Sequence, residues 1–162
     1  MEVKDFSLTE ELVLVDIEAS DELTVIEKLG CLLLSKGYVK STYPKAVQDR
    51  EKIFPTGLPT AGVGVAIPHT DVEHVIGPAI AIGTLKNTVK FKMMGNPEDE
   101  IDVQLVFMLA IKEPQVQLQM LQNLMSVFQK KELLTTIKNL KDTKQIIAAI
   151  KKELETEMGC SA

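Results

Sequence analysis

The sequence contains no tryptophan, only 4% aromatic residues, two cysteines and two histidines. Any core must therefore be built from aliphatic side chains and methionine, which the 45% of apolar residues among 162 can supply. The two cysteines, Cys31 and Cys160, are far apart and give neither a metal-type spacing nor a disulfide framework. Cys31 lies in an apolar helix-like stretch and reads as a small buried hydrophobe. Basic residues are not in excess: the net charge is −5. That excludes the basic footprint a nucleic acid requires and argues against an anionic membrane surface. The longest apolar run, Leu105 to Ile111, is too short to cross a bilayer. Met1 to Asp5 lacks the basic and apolar regions of a signal peptide. The expectation is a cytoplasmic protein without membrane insertion, with one domain over 1–157 and a flexible tail over 158–162.

Periodicity then divides the chain. Leu12 to Ile17 reads as a strand. Ser20 or Asp21 caps a helix to about Ser35, with Leu23, Ile26, Leu29 and Leu33 as its stripe and Gly37 after its end. A second helix follows Ser41-Thr42, with Pro44 in its first turn, and runs through Val47, Arg50 and Ile53 to Pro55. The breaker-rich loop Pro55-Thr56-Gly57-Leu58-Pro59-Thr60 leads into a β-like run ending at His69. Ala79 to Leu85 and Val103 to Ile111 read as further strands, with Val89-Lys90-Phe91 as a short edge strand and a turn at Gly95-Asn96-Pro97. The continuous apolar run at 105–111 suits a central strand covered on both faces. A helix carrying Leu118, Leu121, Met125 and Phe128 follows Pro114; a short helical stretch spans Leu133 to Leu140. A last helix starts at Asp142 or Thr143. The pattern predicts an α/β fold: a mixed sheet of about five strands with helices on both faces.

The segment that points to chemistry is Gly62-Val63-Gly64-Val65-Ala66-Ile67-Pro68-His69-Thr70-Asp71. Pro68 lacks a backbone donor and fixes φ, so the ladder is interrupted and His69 is presented at the sheet rim, where open α/β sheets bind ligands. The glycines before it allow backbone amides to approach an anion. Arg50 lies upstream on the second helix, and a guanidinium matches a phosphoryl group because it holds two oxygens at once. A neutral imidazole attacks phosphorus directly, and the transfer then needs mainly positioning and charge stabilisation. Such a site asks for no cofactor and no metal ion.

Val65-Ala66-Ile67-Pro68-His69 resembles the phosphorylation-site signature of the IIA component of the bacterial phosphoenolpyruvate-dependent sugar phosphotransferase system, fructose/mannitol class (EIIA type 2). Arg50-Glu51-Lys52 ahead of the Pro-Thr loop fits the same family, as does the Val106-Phe107-Met108-Leu109-Ala110 strand followed by a Leu-rich helix. The resemblance covers nearly the whole chain, and the loop Pro55 to Thr60 with His74 behind His69 is most like the galactitol-specific branch. It implies that His69 accepts a phosphoryl group from phospho-HPr, on the tele nitrogen, and passes it to a cysteine of a IIB subunit, which serves a membrane IIC subunit importing the sugar alcohol. It also implies that Arg50, and His74 if it reaches, stabilise the phosphoryl group. The loop before His69 is longer than the mannitol-type pattern. Many relatives carry a second histidine at the start of the Leu-rich helix, where Gln117 stands here.

Other readings compete. Arg50 also suits a helix-surface ion pair, His74 a surface loop residue and Gln117 a solvated helix position. Asp71 and Glu73 are rim charges that steer a basic carrier or simply form a turn. The same fold serves phosphorylation-dependent regulatory modules that bind proteins and feed no transport. A metal site of His69, Asp71, Glu73 and His74 has acceptable ligand types but a spacing that matches no helical face.

Overall fold

The computed structural model describes residues 6–160, with side chains as far as residue 156. The elements in chain order are β1 (Val13–Ile17), α1 (Glu22–Ser35), α2 (Tyr43–Ile53), β2 (Gly57–Leu58), β3 (Gly64–Ala66), β4 (Ala79–Met93), β5 (Asn96–Ala110), α3 (Pro114–Val127), α4 (Lys131–Asn139) and α5 (Thr143–Cys160). β4 pairs in parallel with β1 and antiparallel with β5. β5 also pairs in parallel with β3, which pairs antiparallel with β2. β2 returns to the far end of β4 through Gly57 and Met93. The sheet is mixed and five-stranded, as the pattern predicts.

Strand alternation explains why β5 reads as one apolar run. Leu105, Phe107 and Leu109 point to one face, where they pack with Met120, Leu124 and Phe128 and with Ile146 and Ile150 of α5. Val106, Met108 and Ala110 point to the other, against Ile26, Leu29 and Leu33 of α1 and Tyr43 and Val47 of α2. Both faces are therefore covered, α1 and α2 on one side and α3 to α5 on the other.

Local chemistry sets the helix ends. Asp21 caps α1 by accepting from the Thr24 amide at 2.9 Å and from its hydroxyl at 2.8 Å. Gly37 follows the helix with φ 86°, a conformation that favours glycine. Pro44 occupies the first turn of α2, where a missing amide costs nothing.

Several expectations require correction. Val89-Lys90-Phe91 is the continuation of the 15-residue β4, not a separate edge strand. The exposed stretch Lys86-Asn87-Thr88 imitates a break because the β4–β5 register shifts there, between Thr84 and Val89. The hairpin turns at Met94-Gly95, with Gly95 at φ 80°, and Asn96 and Pro97 already belong to β5. The strand before His69 is only Gly64–Ala66. Cys31 is exposed, because it lies two residues from both Leu29 and Leu33 and so on the opposite side of α1. On α3 the buried stripe is Met120, Leu124 and Val127, and Leu118 and Met125 are exposed. Of the expected tail, residues 158–160 belong to α5, and 161–162 lie outside the described residues.

Candidate active site at the sheet rim

α2 builds one wall of the site. Tyr43, Val47 and Glu51 recur every four residues and are buried, so the helix is seated on the sheet by that stripe. Arg50, next to the stripe, is left at the rim. The Tyr43 hydroxyl donates to the Leu109 carbonyl at 2.7 Å, and the Leu109 amide donates to the Pro68 carbonyl at 3.0 Å. His69 forms an isolated parallel bridge with Leu109. Pro68 thus stops the ladder as a donor yet still accepts from β5, which pins the backbone beside His69.

The imidazole is fixed as well. Nδ1 of His69 lies 2.9 Å from the Ile67 carbonyl oxygen. A carbonyl only accepts, so this bond places the ring proton on Nδ1 and leaves Nε2 with its lone pair. Burial holds the His69 pKa below its ordinary 6.5; the Ile67 hydrogen bond opposes that, the Arg50 charge adds to it and Asp71 opposes it. The ring is therefore neutral at neutral pH, with one nucleophilic nitrogen.

Arg50 and His69 line one cleft with Thr70, Asp71, Pro114 and Leu121. Nη1 of Arg50 is 3.6 Å from Oδ1 of Asp71, and its guanidinium carbon is 5.0 Å from the centre of the Phe54 ring. Nε of Arg50 is buried without an acceptor among the described residues. A neutral imidazole nitrogen and a guanidinium thus line the same cleft, which suits an anionic, electrophilic group.

His74 is not brought to this cleft. It lines the neighbouring one with Thr42 and Lys45, and the two clefts share Arg50, Thr70 and Asp71. Its Nδ1 is 2.8 Å from the Thr42 hydroxyl, and its Nε2 is 3.8 Å from Glu73. Gln117 is not solvated but buried: its Oε1 accepts from the amides of Lys112, at 2.9 Å, and Glu113, at 3.0 Å, and clamps the entry to α3. Among the described residues no three His, Cys, Asp or Glu side chains are grouped to hold a metal ion, so His69, Asp71, Glu73 and His74 do not converge. No helix among them is long and apolar enough to cross a membrane.

Sequence reasoning missed Glu51, Thr56 and Tyr43. The four-residue recurrence of Tyr43, Val47 and Glu51 was the available signal, masked because a carboxylate on an apolar stripe is conventionally assigned to solvent.

The chain is similar in sequence and in fold to known proteins. The galactitol-specific EIIA component of Escherichia coli (strain K12) is 32% identical over 123 residues, covering 76% of this chain and 81% of that protein. The transcriptional regulator ManR of Bacillus subtilis (strain 168) is 40% identical over 101 residues, 62% of this chain but 14% of that protein. In fold, the chain superposes with a TM-score of 0.72 and 21% identity on a chain of the complex of enzyme IIA and phosphorylated enzyme IIB for mannitol from Escherichia coli, covering 93% of this chain and 99% of that one. The model of the family described as phosphoenolpyruvate-dependent sugar phosphotransferase system, EIIA 2, matches residues 6–153. With nearly its whole length matched, this chain belongs to that EIIA type 2 family of phosphotransferase-system components.

Proposed function

We propose that this chain is a phosphocarrier that takes a phosphoryl group onto Nε2 of His69 from phospho-HPr and hands it to a cysteine of a IIB subunit, in a system that imports galactitol or a related sugar alcohol through a membrane IIC subunit. The observation that carries the reading is the His69–Ile67 hydrogen bond, which leaves Nε2 unprotonated beside Arg50. The Nε2 lone pair forms the new P–N bond while the donor's P–N bond breaks and its electron pair returns to the donor imidazole. The Nδ1 proton stays on the ring, and the Ile67 carbonyl supports the positive charge that the ring acquires. Arg50 holds the phosphoryl oxygens as negative charge spreads over them.

His74 has a lesser role in this proposal: it lines the approach to Arg50 and makes no direct contact with the transferred group. Gln117 is assigned no role here; its oxygen is engaged by the α3 entry, and only its amide N–H groups could donate to a phosphoryl oxygen. The exposed side chains of Ile53, Phe54 and Val72 around the clefts supply apolar area for the two protein partners. The galactitol assignment is supported by the 32% identity to a galactitol-specific EIIA component, and the IIB partner by the IIA–IIB complex among proteins of this fold.

The test is an intact-mass measurement after incubation with phosphoenolpyruvate, the first enzyme of the system and HPr, followed by addition of a IIB protein. One acid-labile phosphoryl group on the parent, none on His69→Ala and loss of the group on adding IIB are expected. No adduct on the parent overturns the reading. A second reading, a phosphorylation-dependent regulatory module, is favoured by the 40% identity to a segment of a transcriptional regulator. An adduct that no IIB removes, with a protein contact that changes on phosphorylation, decides for it.

A further inference from the structure

Glu51 is buried at 5% exposure in the apolar seat of α2, yet it is a carboxylate. Desolvation is the main cause that raises its pKa to about 7, the hydrogen bonds from Thr56 opposing it and the charge of Glu22 adding slightly. An apolar side chain would fill this position of the stripe without that penalty. What the carboxylate does instead is hold one residue twice. Its two oxygens accept from the Thr56 amide at 2.8 Å and from the Thr56 hydroxyl at 2.9 Å. The Thr56 carbonyl then accepts from the Ile67 amide at 3.3 Å, and the Ile67 carbonyl accepts from Nδ1 of His69.

Ile67 precedes Pro68, so its backbone is confined to extended conformations. With its amide anchored to Thr56 and its ψ confined, its carbonyl has little choice of direction. We propose that Glu51 is a positioning residue for His69: through Thr56 and Ile67 its carboxylate aims the carbonyl that keeps the imidazole proton on Nδ1 and Nε2 available. This rests on the phosphoryl-transfer reading of His69, but the tautomer is measurable without any transfer. A free imidazole prefers its proton on Nε2, so a loosened Ile67 carbonyl releases the ring toward the tautomer with the wrong nitrogen blocked.

The experiment is imidazole ¹⁵N NMR on the unphosphorylated protein and on E51Q, T56V and T56S, at a pH well above 7, where the rings are neutral and Glu51 is ionised. Phosphoryl acceptance from phospho-HPr is timed on the same samples. Gln keeps the volume but offers one acceptor where Thr56 presents two donors. Val keeps the Thr56 amide and carbonyl and removes only the hydroxyl. The parent is expected to carry the proton on Nδ1. E51Q, and to a smaller degree T56V, shift His69 toward the Nε2–H form and slow acceptance by about tenfold, as small misplacements at reacting centres do; T56S matches the parent. His74, bonded to Thr42, serves as the unshifted internal control. If E51Q does not fold, T56V and T56S decide. Folded variants with parental His69 shifts overturn the inference. A tautomer that moves while the parent accepts no phosphoryl group leaves the relay standing and removes the transfer reading; an unmoved tautomer in a protein that transfers does the reverse.

Discussion

Nδ1 of His69 is bonded to the carbonyl of Ile67, two residues earlier in the same rim segment, at 2.9 Å. The His69 imidazole is therefore oriented by its own backbone, and the backbone in turn is held from both sides, by Tyr43 through Leu109 and by Glu51 through Thr56. Helix α2 carries both holders as well as Arg50.

Acceptance of the phosphoryl group should persist on mild acidification. The His69 pKa is held below 6.5, chiefly by burial, so the nucleophilic neutral form survives beneath that pH. In E51Q, where no carboxyl titrates beside the ring, the rate measured with a fixed amount of phospho-HPr should be level from about pH 8 to about pH 6.5 and fall only below. A rate that already halves above 6.5 would contradict the environment described for the ring.

Arg50→Ala should lower the rate of phosphoryl acceptance by about 100-fold, the size typical of removing a charged oxyanion partner. Arg50→Lys should recover only part of it, since an ammonium cannot hold two oxygens in a plane. His74→Ala should cost less than either. Single-turnover transfer kinetics on the folded variants rank the three.

Tyr43→Phe removes the hydroxyl that donates to Leu109 in a fully buried setting. The loss should be about 1–2 kcal/mol of unfolding free energy, read from urea titration with an unchanged slope.

Gly64→Ala should be more damaging than a surface substitution, because an added Cβ would stand 2.1 Å from the Asp102 carbonyl oxygen across the β3–β5 pair. The backbone must shift, at roughly 1–3 kcal/mol, and the strand that delivers His69 shifts with it. Chemical denaturation and the transfer rate should both register the change.

Glu51 couples stability to pH with a definite sign. Its folded pKa, about 7, is raised from 4.5, so between these values the folded protein holds a proton that the unfolded chain has released. Stability from this group is fully present below about pH 4.5 and is lost as pH rises toward 7, by roughly 3 kcal/mol at most. E51Q should lose less stability than the parent over that interval. Parallel curves for the two proteins would contradict the assignment.

Much of this arrangement is legible in the residues. Pro68 before His69 marks a strand exit, and Thr42 with Pro44 marks the helix that delivers Arg50. The paired faces of β5 appear as a run that neither strand nor helix periodicity could have left exposed. What escaped has physical causes. A polar stretch, Lys86-Asn87-Thr88, looks like a chain break when it is an irregular part of a long strand. α3 carries two apolar stripes, and sequence alone does not say that the Met120–Leu124–Val127 stripe is the one covered. Glu51 runs against the rule that charges face water, and its partner Thr56 becomes visible only once the loop after α2 is folded back.

The most direct measurement is ³¹P and ¹⁵N NMR of the protein phosphorylated through phospho-HPr, which reads the nitrogen that bears phosphorus. A phosphoryl group on Nε2 of His69, with Nδ1 still protonated, is the predicted result. Phosphorus on Nδ1, on His74 or on no histidine would contradict it.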